Sequence, residues 1–320
     1  MIIITGAAGF IGSCVVSKLN KEGMNDIIAV DALRENDKWK NLRNLSFSDY
    51  LDRDQLHSYL EQNHNIDAII HMGACSATTE KDANYLMENN YRYTLRLAEY
   101  SVKNNVRFIY ASSAATYGSG DTGYDDDESA IHTLQPLNMY GYSKQIFDLK
   151  ARREGWFDKI TGLKFFNVYG PNEYFKDDMS SVVFKAFNQI NDTGAVKLFK
   201  SHRPDFKDGE QLRDFVYITD VVNVIWYLLS KPKVNGLFNV GSGNARSFKD
   251  LVTATFKAMN LETNIKYIDM PENIRDRYQY YTQAEISKLR KAGYDQKMHT
   301  LEEGITDYVQ NYLMDEFKHY

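Results

Sequence analysis

Cysteine is nearly absent from this 320-residue chain; Cys14 and Cys75 are the only two. They cannot build a disulfide framework, and neither stands in a C-x-x-C pair. The seven histidines form no tight Cys/His cluster, so the sequence offers no zinc-type spacing and no metal site is expected. A surplus of positive charge is also missing. Lys and Arg number 38 against 43 Asp and Glu, a net charge of −5. Such a balance argues against partners with polyanionic backbones or surfaces, so neither nucleic acid nor a membrane is expected. Long apolar runs are lacking too. The longest, Val221 to Leu229, is broken by Asn223 and falls far short of a bilayer span. The opening Met-Ile-Ile-Ile-Thr-Gly carries no basic leader, which points to a cytoplasmic protein.

What is present is globular. Hydrophobic residues make up 43%, charged residues 25%, and nineteen Gly stand against five Pro, which excludes collagen-like, coiled-coil and disordered chains. Four short β-branched runs, Ile2–Thr5, Ile27–Asp31, Ala68–His71 and Phe108–Ser112, read as strands buried on both faces. Helical spacing fills the gaps over Phe10–Glu22, Asp54–Asn63 and about Glu80–Asn104. This alternation predicts an α/β fold, a doubly wound parallel sheet of Rossmann type. Asn138–Glu154 reads as a further helix and Gly162–Val168 as a further strand. Phe215–Ile218 and Leu237–Val240, with a helix between them starting after Asp220, are expected to return to the sheet. The division that follows is a dinucleotide-binding domain of residues 1–171 with 214–241, and a smaller mixed α/β lobe of 172–213 with 242–320.

The sharpest local motif is Gly6-Ala7-Ala8-Gly9-Phe10-Ile11-Gly12, after the first strand and opening the first helix. Glycines there allow a tight turn and close approach of a pyrophosphate to the helix N-terminus. Asp31, closing the second strand, suits a hydrogen bond to an adenosine ribose, which favours NAD. Arg34, Lys38 and Arg53 stand where a 2′-phosphate would project and tilt the expectation toward NADP.

A second constellation is Tyr140-Gly141-Tyr142-Ser143-Lys144, in which Tyr140 and Lys144 share a helix face. A phenol of pKa about 10 is a poor base at neutral pH unless a neighbouring cation favours the phenolate. The spacing alone is cheap, since Tyr227–Lys231 matches it as well. Tyr140 is set apart by the preceding Tyr110-Ala111-Ser112-Ser113, at the carboxyl end of a predicted central strand, where open α/β sheets bind ligands. There Ser113 could hydrogen-bond the oxygen being interconverted.

Glycine turn, strand-end serine and Tyr/Lys helix, in that order, resemble the extended short-chain dehydrogenase/reductases. Within that superfamily the chain resembles the ADP-glycero-manno-heptose 6-epimerase family. The resemblance rests on Gly73 to Glu80, Ala111 to Gly118, Asn138 to Lys144, Phe166 to Pro171, Leu212 to Tyr217, Arg277-Tyr278-Gln279 and Thr282-Gln283-Ala284. It implies inversion at C6 of an ADP-heptose through a 6-keto intermediate and tightly bound NADP, by a homo-oligomer, a pentamer in the family. By position it makes Tyr140 and Lys176 the two acid/base groups, with Lys144 on the nicotinamide ribose and Ser113 on the reacting oxygen. Cofactor contacts fall on Gly6, Gly9, Phe10, Ile11, Gly12, Asp31, Lys38, Arg53, Met72, Gly73, Ala74, Cys75, Ser76, Asn89, Lys144, Val168 and Lys176. Sugar-nucleotide contacts fall on Asn167, Phe199, Arg213 and Tyr278.

The sequence departs from the family at Ala7, Met72, Asp177, Asp178 and Lys185, and in a longer loop at 200–212. Where a Gly-Ser pair is typical stand Asp177 and Asp178, with Ser180 and Ser181 out of register. Two enzyme alternatives stand nearby. A 4,6-dehydratase needs an acidic pair after the strand-end hydroxyl, where this chain has Ala114 and Ala115. A nucleotide-sugar 4-epimerase shares Ser113, Tyr140 and Lys144 but has no counterpart of Lys176. A non-catalytic NAD(P) sensor of the same fold would commonly lack the reactive Tyr or Lys.

Overall fold

The computed structural model describes residues 1–320 except Asn63, His64, Asp276 and Arg277, and except the side chains of Asp177, Asn273 and Ile274. Arg277 of the family motif and the expected helix end at Asn63 therefore lie outside the described residues.

The apolar runs become β1 (Ile2–Thr5), β2 (Ile27–Asp31), β4 (Ala68–His71) and β5 (Arg107–Ser113). Between β2 and β4 runs β3 (Asp49–Asp52). With β6 (Ile160–Phe165) and a later strand, β10 (Gly236–Val240), they form one seven-stranded parallel sheet. Its order is β3-β2-β1-β4-β5-β6-β10. β1 pairs with β2 on one side and β4 on the other, Ile2 opposite both Ile27 and Ala68. The chain direction across the sheet reverses at this point, which opens a crevice at the carboxyl ends of β1 and β4. β3 escapes the periodicity reading because it is a partly exposed edge strand with polar ends and no continuous apolar run.

Helices cover both faces. α1 (Phe10–Lys21), α7 (Ile218–Ser230), α6 (Val182–Thr193) and α8 (Phe248–Ala258) share one core with the sheet through Cys14, Val16, Val221, Val224, Ala186 and Phe256. The opposite core takes α2 (Leu56–Leu60), α4 (Tyr93–Asn104) and α5 (Met139–Arg153) through Leu56, Leu97, Ala98 and Phe147. The helical run expected from about Glu80 starts at α3 (Ala83–Leu86), where Asp82 accepts a hydrogen bond from the Tyr85 N–H. It widens into a π turn at Met87–Arg92 before α4, and ends where Asn105 adopts a φ of 55°.

One expected strand goes elsewhere. Leu212–Tyr217, here β9, does not join the large sheet; it pairs with β7 (Asn167–Tyr169) and β11 (Ala245–Ser247) in a small mixed sheet. The place beside β6 is filled by β10 over Gly236–Val240 opposite Thr161–Phe165, and β9 pairs instead with the short extension β7 and with β11. The following helix starts at Ile218 rather than after Asp220, which puts Asp220 in its first turn, where an acidic group is favoured. β8 (Val196–Phe199) and β12 (Ile265–Ile268) add a parallel pair.

Beneath the crevice lies a charge pair with almost no exposure. Asp148 on α5 accepts hydrogen bonds from Tyr110 Oη (2.7 Å) and Ser112 Oγ (2.7 Å), and Lys164 Nζ lies 3.5 Å from it. Removing one member leaves a buried charge without its partner. Lys164→Met is therefore expected to cost about 3–5 kcal/mol, read as a lower urea midpoint at unchanged slope.

Candidate active site

The glycine turn is shaped by backbone approach. Gly6 holds φ at +68°, and a Cβ there would fall 2.7 Å from the Gly73 nitrogen at the β4 exit. A Cβ on Gly12 would fall 2.0 Å from the Gly6 carbonyl oxygen. These positions admit only glycine, and the cradle they leave at the start of α1 fits a dinucleotide pyrophosphate against the helix N-terminus. Gly9 is the N-cap and brings no side chain of its own to that end.

Asp31, at the tip of β2, braces the turn. Its carboxylate accepts from the Ala8 N–H (2.8 Å), the Ala32 N–H (2.7 Å) and Lys38 Nζ (2.6 Å). Beside it lies a pocket of about 270 Å³ lined by Asp31, Arg34, Lys38, Arg53, Cys75 and Asn89. Arg53 donates to Asn89 Oδ1 and lies over the Tyr93 ring, its guanidinium carbon 5.6 Å from the centroid.

A second cleft, about 590 Å³, continues from the glycine turn across the sheet. It gathers Phe10, Ile11, Met72, Gly73, Ala74 and Ser76 with Ser113, Tyr140, Lys144, Asn167, Val168 and Lys176. Tyr140 sits in the first turn of α5, whose N-cap Asn138 accepts from the Gly141 N–H (2.8 Å). A Cβ on Gly141 would fall 2.7 Å from the Ala115 carbonyl oxygen, so that glycine lets α5 press onto the end of β5. The approach brings Tyr140 within hydrogen-bond reach of Ser113. Burial pushes the Tyr140 phenol up, while the Ser113 bond works against the rise. One helical turn on, Lys144 Nζ donates to the Ala111 carbonyl (2.8 Å). Burial pulls its pKa down to about 8, with Asp148 and Cys75 opposing.

Lys176 comes from another direction, on the loop between β7 and α6. Its Nζ lies 5.3 Å from the Phe10 ring centroid, and burial draws its pKa down. Lys185 donates to the Asp178 carbonyl (2.6 Å), and Ser181 caps α6 by accepting from the Phe184 N–H. Phe199, Arg213 and Tyr278 group beside the cleft rather than in its lining. The Arg213 guanidinium carbon lies 5.2 Å from the Tyr278 ring centroid and 5.6 Å from that of Phe248, and Phe199 meets Tyr278 edge-on. Phe248, Gln279 and Thr282 connect this group to the cleft.

Several site residues left no mark in the sequence. Asn90, on the π turn, accepts from the Cys75 N–H (2.9 Å) and donates to the Cys75 carbonyl and Ser143 Oγ (3.0 Å each), joining the β4 exit to α5. Asn41 donates to the carbonyls of Ala8 and Asn172, and His319 and Tyr320 bond to Asn41 and Asn172 in turn. The doubled Asn89-Asn90 within a helical run was the one available signal; the others are long-range contacts.

No helix among the described residues is long and apolar enough to cross a membrane. Residues 2–241 match the model of the NAD dependent epimerase/dehydratase family. The chain is 55% identical over 318 residues to the ADP-L-glycero-D-manno-heptose-6-epimerase of Nitratidesulfovibrio vulgaris, covering 98% of each. It is 53% identical to the protein of that name from Fusobacterium nucleatum, covering 99% of each. Among solved structures it is similar to the Helicobacter pylori ADP-L-glycero-D-manno-heptose-6-epimerase, with a TM-score of 0.83, 30% identity, and 97% and 95% of the two chains covered. A glycine cradle that fits a dinucleotide, a Ser/Tyr/Lys group at the sheet's carboxyl edge and this full-length similarity agree, and the chain belongs to the NAD dependent epimerase/dehydratase family, among its ADP-L-glycero-D-manno-heptose-6-epimerases.

Proposed function

We propose that this protein is a cytoplasmic homo-oligomeric epimerase that inverts C6 of ADP-D-glycero-manno-heptose to the L-glycero epimer, with NADP as its cofactor. The observation that carries this reading is that Tyr140, from α5, and Lys176, from the loop between β7 and α6, line the same cleft as the glycine turn. In the scheme the family resemblance implies, each face of the reacting carbon has its own proton carrier, Tyr140 on one and Lys176 on the other. The nicotinamide dinucleotide, when bound, supplies reversible hydride exchange with C6 by way of a 6-keto intermediate.

The chain's own residues do the rest. Gly6, Gly9 and Gly12, with Phe10 and Ile11, seat the pyrophosphate, and Asp31 and Lys38 hold the adenosine end. Gly73 to Ser76, Asn89 and Val168 line the dinucleotide's path. Lys144 holds the nicotinamide ribose and biases Tyr140 toward phenolate. Ser113 orients the C6 oxygen, and Tyr140 and Lys176 move its proton on the two faces. Arg213 forks onto the diphosphate, with Asn167, Phe199 and Tyr278 around the nucleotide sugar. Residues 1–171 with 214–241 serve the dinucleotide, and 172–213 with 242–320 the sugar.

Proton NMR of ADP-D-glycero-manno-heptose incubated with the purified protein, with no cofactor added, tests this reading. A mixture of the two C6 epimers is the expected result. An unchanged substrate after NADP or NAD is supplied overturns it.

The NADP preference rests on Arg34, Lys38 and Arg53 around the smaller pocket. A charge-assisted bond is worth about 1.5–3 kcal/mol, so Lys38→Ala is expected to weaken NADP about 10- to 100-fold. It also strips Asp31 of its counter-ion, so NAD, which lacks the 2′-phosphate, should bind no worse. Parallel titrations of the dinucleotide-free protein with both cofactors measure the difference.

A further inference from the structure

Glu173, which the proposed chemistry does not use, is fully buried on the loop that carries Lys176. Its Oε1 accepts from the Gly170 N–H (3.2 Å) and Ser181 Oγ (2.7 Å), and its Oε2 accepts from the Ser181 N–H. One carboxylate thus ties together both ends of a segment that leaves β7 and enters α6. Inside that span the Lys176 N–H donates to the Glu173 carbonyl (3.1 Å), and the Met179 N–H to the Lys176 carbonyl (2.9 Å). A buried carboxylate is expensive without compensation. Three donors and a nearby ammonium, in a place where an apolar residue would pack, call for an explanation beyond stability.

We propose that Glu173 is a positioning residue for Lys176: its clamp on Gly170 and Ser181 fixes the loop and so holds the Lys176 ammonium at the edge of the cleft. The inference rests on the proposed role of Lys176. The groups facing Glu173 support it. Cys14 from α1, Tyr174 from the loop and Tyr308 from the helix Leu301–Tyr308 are its other titratable neighbours, and burial pushes the ionisation of all three up, so they stay neutral. Lys176 is the cation that interacts with it, and the carboxylate opposes the fall that burial imposes on the Lys176 pKa.

The test uses the full-length protein with its bound dinucleotide. Trace acetylation across the alkaline range, read at Lys176 by mass spectrometry, follows that amine directly and needs no substrate. In Glu173→Gln the carboxylate no longer favours the ammonium, so the labelling midpoint should fall by about one pH unit. kcat should drop about 10- to 100-fold with KM little changed, and the alkaline limb of the pH–kcat profile should move the same way. An unmoved midpoint in a folded Gln variant overturns the proposal whatever its activity. A shifted midpoint in a protein that never epimerises the heptose leaves the Glu173–Lys176 coupling standing and removes only the substrate reading. If the Gln variant does not fold, Glu173→Asp carries the test. It keeps the charge but is too short to reach both loop ends, and a kcat equal to wild type in it would overturn the clamp.

Discussion

Tyr140→Phe is expected to reduce epimerisation about 10²- to 10⁴-fold, the span attributable to one positioned proton carrier. The reason is local. The phenol, the proposed acid/base group, meets Ser113 at the end of β5, and Lys144 lies one turn along the same helix. Burial disfavours each charged form, raising the phenol and drawing the lysine down to about 8. Phenylalanine preserves the ring and its packing. Ser113 keeps its bond from the Ala115 N–H, and Lys144 keeps its bond to Ala111. The variant should thus remain folded with its dinucleotide bound, and its defect should lie in kcat rather than KM. Single-turnover NMR beside the 260/280 nm absorbance ratio separates these effects. Wild-type turnover in Tyr140→Phe would remove Tyr140 from the mechanism.

Gly12→Ala should produce an equally large effect by a different route, loss of the dinucleotide. The new methyl carbon would lie 2.0 Å from the Gly6 carbonyl oxygen and 3.1 Å from the Ala7 Cα. Both contacts are backbone, so no side-chain rotation relieves them. The turn must open or α1 must move off β1, at an overpacking cost of about 1–3 kcal/mol. Either response displaces the N–H groups at the helix start from the pyrophosphate. The purified variant should carry no nucleotide absorbance and should melt at a lower temperature. Gly23→Ala is the matching control for stability. Nothing lies within 4 Å of a Cβ there, but φ is +80°, so the cost is backbone strain without loss of dinucleotide. Retention of bound cofactor by Gly12→Ala would show that the close approach is not what shapes the cradle.

The strands β1, β2, β4 and β5 were legible because a strand buried on both faces is continuously apolar, and runs such as Ile2–Thr5 are short and β-branched as well. The glycine turn was legible because a short backbone contact leaves only glycine possible. Tyr140 and Lys144 were legible because helical periodicity is local. Lys176 was not: as a sequence feature it is one loop lysine among many, and only the family resemblance singled it out.

The local order of elements, the parallel α/β class, the bare helix N-terminus and the phenol–amine pair on one helix follow from the sequence by itself, since each depends on residues within a few turns of one another. Tertiary structure alone decided which strand takes the place beside β6, because Phe215–Ile218 and Leu237–Val240 both read as strands and only their long-range pairing, with β7 or with β6, separates them. It alone brought Glu173 between Gly170 and Ser181, pressed α5 onto Ala115 through Gly141, and joined Asn41 and Asn172 to the last two residues of the chain. These are contacts between distant segments. Their partners are ordinary polar residues until the packing of apolar faces removes water from around them and leaves each buried donor and acceptor only the other to satisfy it.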